Sequence, residues 1–205
     1  MQQEKEEDRN LNLNQNQNQN WKQPRVQKLI EKNGIKFVKI GENIIKLTFE
    51  VNNDKIVLPL IINFDLIKLA NTLNPNIVET TEIINISDIE ITMSSLLKDI
   101  FCDLGLAQYY LALKITKEII DPKTILFNCV SFNNKLQSYP DDVEKLPVES
   151  MNIKFNIINN HKFTMDFDII LTDQHNIPQF SEKIIGNIIY NIFNRLKQFI
   201  ENVTF

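Results

Sequence analysis

The chain is short of the residues from which most recognisable catalytic and cofactor motifs are built. Four glycines in 205 residues leave no room for a glycine-rich phosphate cradle, and neither a P-loop signature nor a GxGxxG turn occurs. Two histidines, His161 and His175, offer little for acid–base work, and the HExxH and GxSxG patterns are absent. The two cysteines, Cys102 and Cys129, stand far apart in neither a CxxC nor a Cys/His spacing. They read as buried thiols in a reducing compartment. A cationic excess is also lacking: 22 Lys and Arg face 26 Asp and Glu, a net charge of −4. That balance argues against a general nucleic-acid binder, which must neutralise phosphates. No apolar run approaches the roughly 20 residues of a membrane-spanning helix. The polar, acidic N-terminus has no apolar segment of the signal-peptide kind. These absences point to an intracellular, cytoplasmic protein, away from an enzyme, and they call for no cofactor.

What is present describes a globular chain. It is 43% hydrophobic and 23% charged, within the ordinary range and long enough to bury a core without disulfides or metals. The bias towards Ile, Asn and Lys follows AT-rich codons and reads as a low-GC genome, such as that of a large DNA virus, a protist or a low-GC bacterium. Residues 1–23 separate from the rest. "MQQEKEEDR" is charged and "NLNLNQNQNQN" is low-complexity, so neither can offset ordering entropy by burial, and a disordered tail is expected. Trp21, the only tryptophan, closes this tail, either as an anchor on the domain or as a short partner-binding motif. Residues 24–205 read as a single α+β domain.

The patterns within that domain predict an antiparallel sheet of about seven strands packed by helices. Pro24 to Asn33 reads as a short helix stopped by Gly34. "IKFVKI" and "IIKLTFEV" form a hairpin through Gly41-Glu42. A second hairpin through Asn52-Asn53-Asp54 leads into "KIVLPLII", an edge strand because of Pro59. Asn63 caps a helix that stops near Pro75. A weak strand covers Ile77 to Ile84. Ser87 and Glu90 have capping-box spacing, and Ile89, Met93, Leu96, Leu97, Ile100, Phe101 and Leu104 recur at helical intervals. "QYYLALKIT" alternates, Asp121-Pro122 turns the chain, and "TILFNCVSF" is apolar at both parities, as in a strand covered on both faces. Residues 133–150 read as a polar loop.

The stretch "IKFNIINNHKFTMDFDIIL" poses the sharpest choice between a site and a hairpin. A three-residue loop, Asn159 to His161, pairs Ile157 with Phe163, Phe155 with Met165 and Ile153 with Phe167, making one dry face. The wet face then pairs Asn156 with Thr164, Lys154 with Asp166 and Asn152 with Asp168. An asparagine of the loop is expected near the left-handed conformation. The chemical alternative is a divalent-cation site on Asp166 and Asp168, with Asp173 or His175; a solvated face is favoured.

The last helix is the longest periodic segment. At about 100° per residue, Ile184, Ile185, Ile188, Ile189, Ile192, Phe193, Leu196, Phe199, Ile200 and Val203 share one half of its circumference. It reads as a helix across the sheet. A homodimer seam or other interaction surface through Ile185, Ile189, Ile192 and Phe199 is the sharper option. Its polar face is mostly side-chain amides rather than Lys/Arg, which disfavours membrane-surface binding. From about residue 77 the order strand, helix, four strands, helix resembles that of helix-grip lipid-binding domains and of the TATA-binding-protein repeat. The negative net charge weakens the second.

The leading functional expectation is a non-enzymatic interaction or structural protein, acting on a protein partner through its surface and N-terminal arm. The alternative is a binder of a small apolar ligand between the sheet and the C-terminal helix. A metal-dependent enzyme using Asp166 and Asp168 is weaker.

Overall fold

The computed structural model describes residues 25–100, 107–172 and 179–204, and of residues 179–185 only the helical backbone. The tail with Trp21, Cys102, Asp173, His175 and the side chain of Ile185 therefore lie outside the described residues. The elements are β1 (Val26–Lys32), β2 (Ile35–Ile40), β3 (Ile44–Asn52), a 3-10 turn (Leu58–Ile61), α1 (Phe64–Thr72), β4 (Val78–Ile86), β5 (Glu90–Leu97), β6 (Tyr109–Asp121), β7 (Thr124–Ser131), β8 (Glu144–Lys145), β9 (Val148–Asn159), β10 (Lys162–Leu171) and α2 (Gln179–Asn202). One sheet of ten strands, not about seven, runs in the order β1-β2-β3-β10-β9-β7-β6-β5-β4, with the short β8 against β6.

Two segments expected to be helical are strands. Asn33 and Gly34 both adopt positive φ, 53° and 72°, as a tight hairpin turn requires. The Asn-Gly pair therefore folds 26–32 back onto β2 instead of ending a helix. In 87–97 the Ser/Glu spacing builds a turn. The Ser87 N–H donates to the Glu90 carbonyl at 2.7 Å, and the Ser87 hydroxyl accepts from the Glu90 N–H at 3.1 Å. β5 is buried on both faces, with Ile91 and Met93 on one side and Ser94 and Leu96 on the other. A strand of that kind carries no clean alternation, and its apolar residues can match a helical template.

The predicted β3 partner is also replaced. "KIVLPLII" is not a strand; Leu58–Ile61 is a 3-10 turn with Pro59 in its first turn, where no amide donor is needed. β3 pairs instead with β10, Val51 opposite Phe163 and Ile45 opposite Ile169. β10 offers an equally dry face, so the pattern of β3 alone could not choose between the two. β7 is covered on one face only: Ile125, Phe127 and Cys129 are buried, whereas Val130 is 57% exposed.

Other expectations hold. β2 and β3 pair as a hairpin. Asn63 caps α1, its Oδ1 accepting from the Asp65 N–H at 2.8 Å. β9 and β10 have the expected register at all six pairs, from Ile157 opposite Phe163 to Asn152 opposite Asp168. Their loop is tighter than expected. Asn159 pairs Lys162 and a bulge at Ile158 restores the register. The left-handed asparagine is Asn33, the only non-glycine residue with positive φ among those described, and not one in this loop.

Inward-facing residues of β2, β3, β5, β6, β7, β9 and β10 form one core with the segment 56–66 and α2. The segment 132–143 covers the opposite side of β5 and β6, where Tyr139 and Val143 pack with Leu96, Tyr110 and Ala112.

Candidate functional site

α2 is held over the β1–β3 side of the sheet by contacts at both ends and in its middle. Gly186 lies so close to β2 that an added Cβ would meet the Phe37 ring at 3.3 Å. The Tyr190 hydroxyl accepts from Asn33 Nδ2 at 2.9 Å. Phe193 stacks between Phe167, at 4.7 Å between centroids, and Phe49, at 6.1 Å. Arg195 joins α2 to the end of α1 through the Leu73 carbonyl, Asn74 and Asn76. At the C-terminal end the buried Asn53 donates from Nδ2 to the Ile200 carbonyl at 2.6 Å and the Val203 carbonyl at 2.8 Å. Its Oδ1 accepts from the Lys55 N–H at 2.8 Å. Asn53 thus satisfies carbonyls that a helix end leaves unpaired.

The inner face beneath α2 has two halves. In the half towards Asn53, aromatic rings fill the space. Phe64, Phe127, Phe155 and Phe163 form an edge-to-face chain with centroids 5.4–5.9 Å apart. There Phe49, Val51, Phe155, Phe163 and Met165 are 2% exposed or less. In the other half, towards the exit of β10 into α2, Ile45, Leu113, Met151, Ile153, Phe167, Ile169 and Leu171 keep 6–9% of their surface, as Phe64 and Ile125 of the first half also do at 7% and 8%. Five of these, Met151 opposite Ile169, Ile153 opposite Phe167, and Leu171, sit on β9 and β10, which are central strands and not sheet edges. Phe193 of α2, which touches Phe167, keeps 7%. Sheet and helix thus meet through apolar side chains, with the phenylalanine chain at one end.

Among the described residues, this inner face carries no activated nucleophile. The thiol of Cys129, next to Met151 in register, is pushed up to about 12 by burial and is no nucleophile at neutral pH. Two lysines share the inner face by register. Lys117 donates to the Ile62 carbonyl at 2.9 Å, and Lys39, beside Ile45, is engaged in an interaction of its own.

The residues singled out from sequence fall elsewhere or at the margin. Asp166 and Asp168 are on the outer face. Asp166 accepts from Thr48 at 2.9 Å and Asn156 at 3.1 Å, while Asp168 pairs with Lys46 at 3.2 Å. Lys154 stands opposite Asp166 in register. Among the described residues no three His, Cys, Asp or Glu side chains gather as a metal would require. His161 is not a free loop tip: its Nδ1–H donates to the Ile56 and Asn53 carbonyls at 2.9 and 3.2 Å. Ile189 and Ile192 are partly buried against the core, and Phe199 is 40% exposed. A separate surface cleft of about 360 Å³ between α1 and β4 is open and of mixed character, lined by Lys68, Asn71, Thr72, Pro75, Val78 and Ile83 among others. Among the described residues, no helix is long and apolar enough to cross a membrane.

No family model and no curated protein matches the sequence. The fold does match solved structures. The human StarD13 (DLC2) lipid transfer and protein localization domain superposes with a TM-score of 0.67 at 8% identity, over 94% of this chain and 96% of that one. Human StAR-related lipid transfer protein 5 gives 0.63 at 11% identity, over 97% and 95%. A STAR-related lipid transfer protein from Xanthomonas axonopodis gives 0.63 at 11% identity, over 85% and 98%. At such identities the likeness is one of fold: a sheet-rich α+β architecture with an antiparallel sheet and a C-terminal helix.

Proposed function

We propose that the chain is a non-enzymatic binder of a small apolar ligand, held between the inner face of the sheet and α2. The observation that carries this reading is the continuous apolar inner face of the sheet beneath a tethered amphipathic helix, where Met151, Ile153, Phe167 and Ile169 keep 6–8% of their surface; the proposed chamber lies there. An apolar wall with few polar groups is the usual character of a small-molecule site. The solved structures of similar fold are named as lipid transfer domains, which supports the same reading against a purely surface-acting protein. As a second role, the tail 1–23 with Trp21 and the exposed Phe199 flank of α2 would serve a protein partner.

The test is to fill the chamber. Met151→Trp adds a large ring at its floor and should weaken binding of the neutral dye Nile red at least about tenfold. Phe199→Ala, on the exposed helix flank, should leave it unchanged. Equal affinities for the wild type and Met151→Trp, with the variant folded by circular dichroism, would remove the chamber as the site.

A further inference from the structure

One polar atom of the inner face has no partner. Ser131 ends β7, and its pairing with Leu113 places its side chain on the chamber side, in line with Cys129 and Phe127. Its Oγ is enclosed and makes no hydrogen bond. The other inward polar groups are satisfied: Asn53 by the helix end, Ser95 and Thr81 by Asn71, and the Tyr190 hydroxyl by Asn33. The second unpartnered atom, Asp168 Oδ1, belongs to a carboxylate on the outer face that Lys46 already pairs. A buried hydroxyl without a partner is costly, and a mate supplied later recovers that cost. Rotation about one torsion redirects a serine Oγ without moving the backbone. The neighbours of Ser131 are also those that keep exposure: Leu113 opposite it, and Met151, Ile169 and Leu171 on the strands beyond.

We propose that Ser131 is the polar anchor of the chamber. Its hydroxyl selects a ligand with a long apolar body and one uncharged hydrogen-bonding group, an alcohol or carbonyl oxygen, and disfavours a charged or zwitterionic headgroup. The two lysines of the inner face are already engaged, Lys117 by the Ile62 carbonyl and Lys39 in an interaction of its own, so a charged headgroup beside Ser131 would be desolvated without compensation. This proposal rests on the chamber reading above.

The experiment uses the full chain with Nile red bound and displaces it with hexadecanol, hexadecane or hexadecylphosphocholine, which share one apolar body. Hexadecanol is expected to compete about five- to tenfold better than hexadecane, the value of one added hydrogen bond, and better than the phosphocholine. Ser131→Ala should abolish the preference for the alcohol and leave hexadecane unchanged. The ligand-free variant should unfold at the same temperature as the wild type or higher, because an unpaired hydroxyl has been removed. A lowered unfolding temperature with the alcohol preference retained would make Ser131 structural and overturn the proposal. Equal competition by alcohol and alkane, or strongest competition by the phosphocholine, would overturn the anchor but leave the chamber. No binding of Nile red or of any competitor would overturn both.

Discussion

Replacing Phe193 with alanine is expected to lower the unfolding free energy by about 3–5 kcal/mol, the range for deleting a buried ring. The ring packs α2 against the sheet, touching Phe167 and Phe49. The sheet is tied by hydrogen bonds on both sides of it, so the walls cannot collapse to fill the gap. The cost should therefore lie towards the upper end. Urea unfolding measures it, with the midpoint falling and the slope nearly constant. The deletion also enlarges the proposed chamber, and an apolar compound should restore part of the loss, as ligands of engineered cavities do. A loss below about 1.5 kcal/mol would mean that α2 is not packed on the sheet as described.

The second large effect is at Asn53. Asn53→Ala removes both Nδ2 bonds to the end of α2 and the acceptor for the Lys55 amide. Each buried hydrogen bond contributes about 1 kcal/mol, and a carbonyl left buried and unpaired costs more. A destabilisation of about 2–4 kcal/mol is expected on that basis. It should be accompanied by faster hydrogen exchange in the last two turns of α2, with Gly186 to Phe193 less affected. Asn53→Asp should be no better, because a carboxylate has no donor for the two carbonyls. Exchange unchanged in 196–203 would show that Asn53 does not hold the helix.

The parts of this architecture that were legible in the sequence are those with one strong periodicity and one dry face. The β9–β10 register follows from a single requirement, that Ile153, Phe155 and Ile157 meet Phe167, Met165 and Phe163. α2 announces itself by 3.6-residue spacing over some seven turns. β5 did not, because burial on both faces erases the alternation that marks a strand. β1 was lost by giving Gly34 the weight of a helix stop, although Asn33-Gly34 is the stronger turn signal. The β3 partner depended on a long-range choice between 55–62 and β10 that local pattern does not encode.

The site was legible only in outline. The apolar faces of sheet and helix suggested a ligand between them, yet the residues proposed to line the chamber were not separable from those that merely pack. Met151 and Met165 look alike in sequence, and only the structure distinguishes them, at 8% and 2% exposure. Ser131 is hidden between Val130 and Phe132 in "TILFNCVSF". Its face becomes clear only from the pairing with Leu113. The element order that resembled a lipid-binding domain included a helix at 87–104 where the structure has β5, so the likeness to lipid transfer domains rests on the superposition rather than on that order.

The central claim is that a ligand-sized apolar space exists under α2. Native mass spectrometry of the purified full chain, after incubation with vesicles of a mixed neutral and zwitterionic lipid extract, tests it most directly. The account predicts one added mass per chain, corresponding to an uncharged lipid, that is lost on denaturation and absent from Met151→Trp. A bare chain mass under the same conditions, for wild type and variant alike, would contradict it.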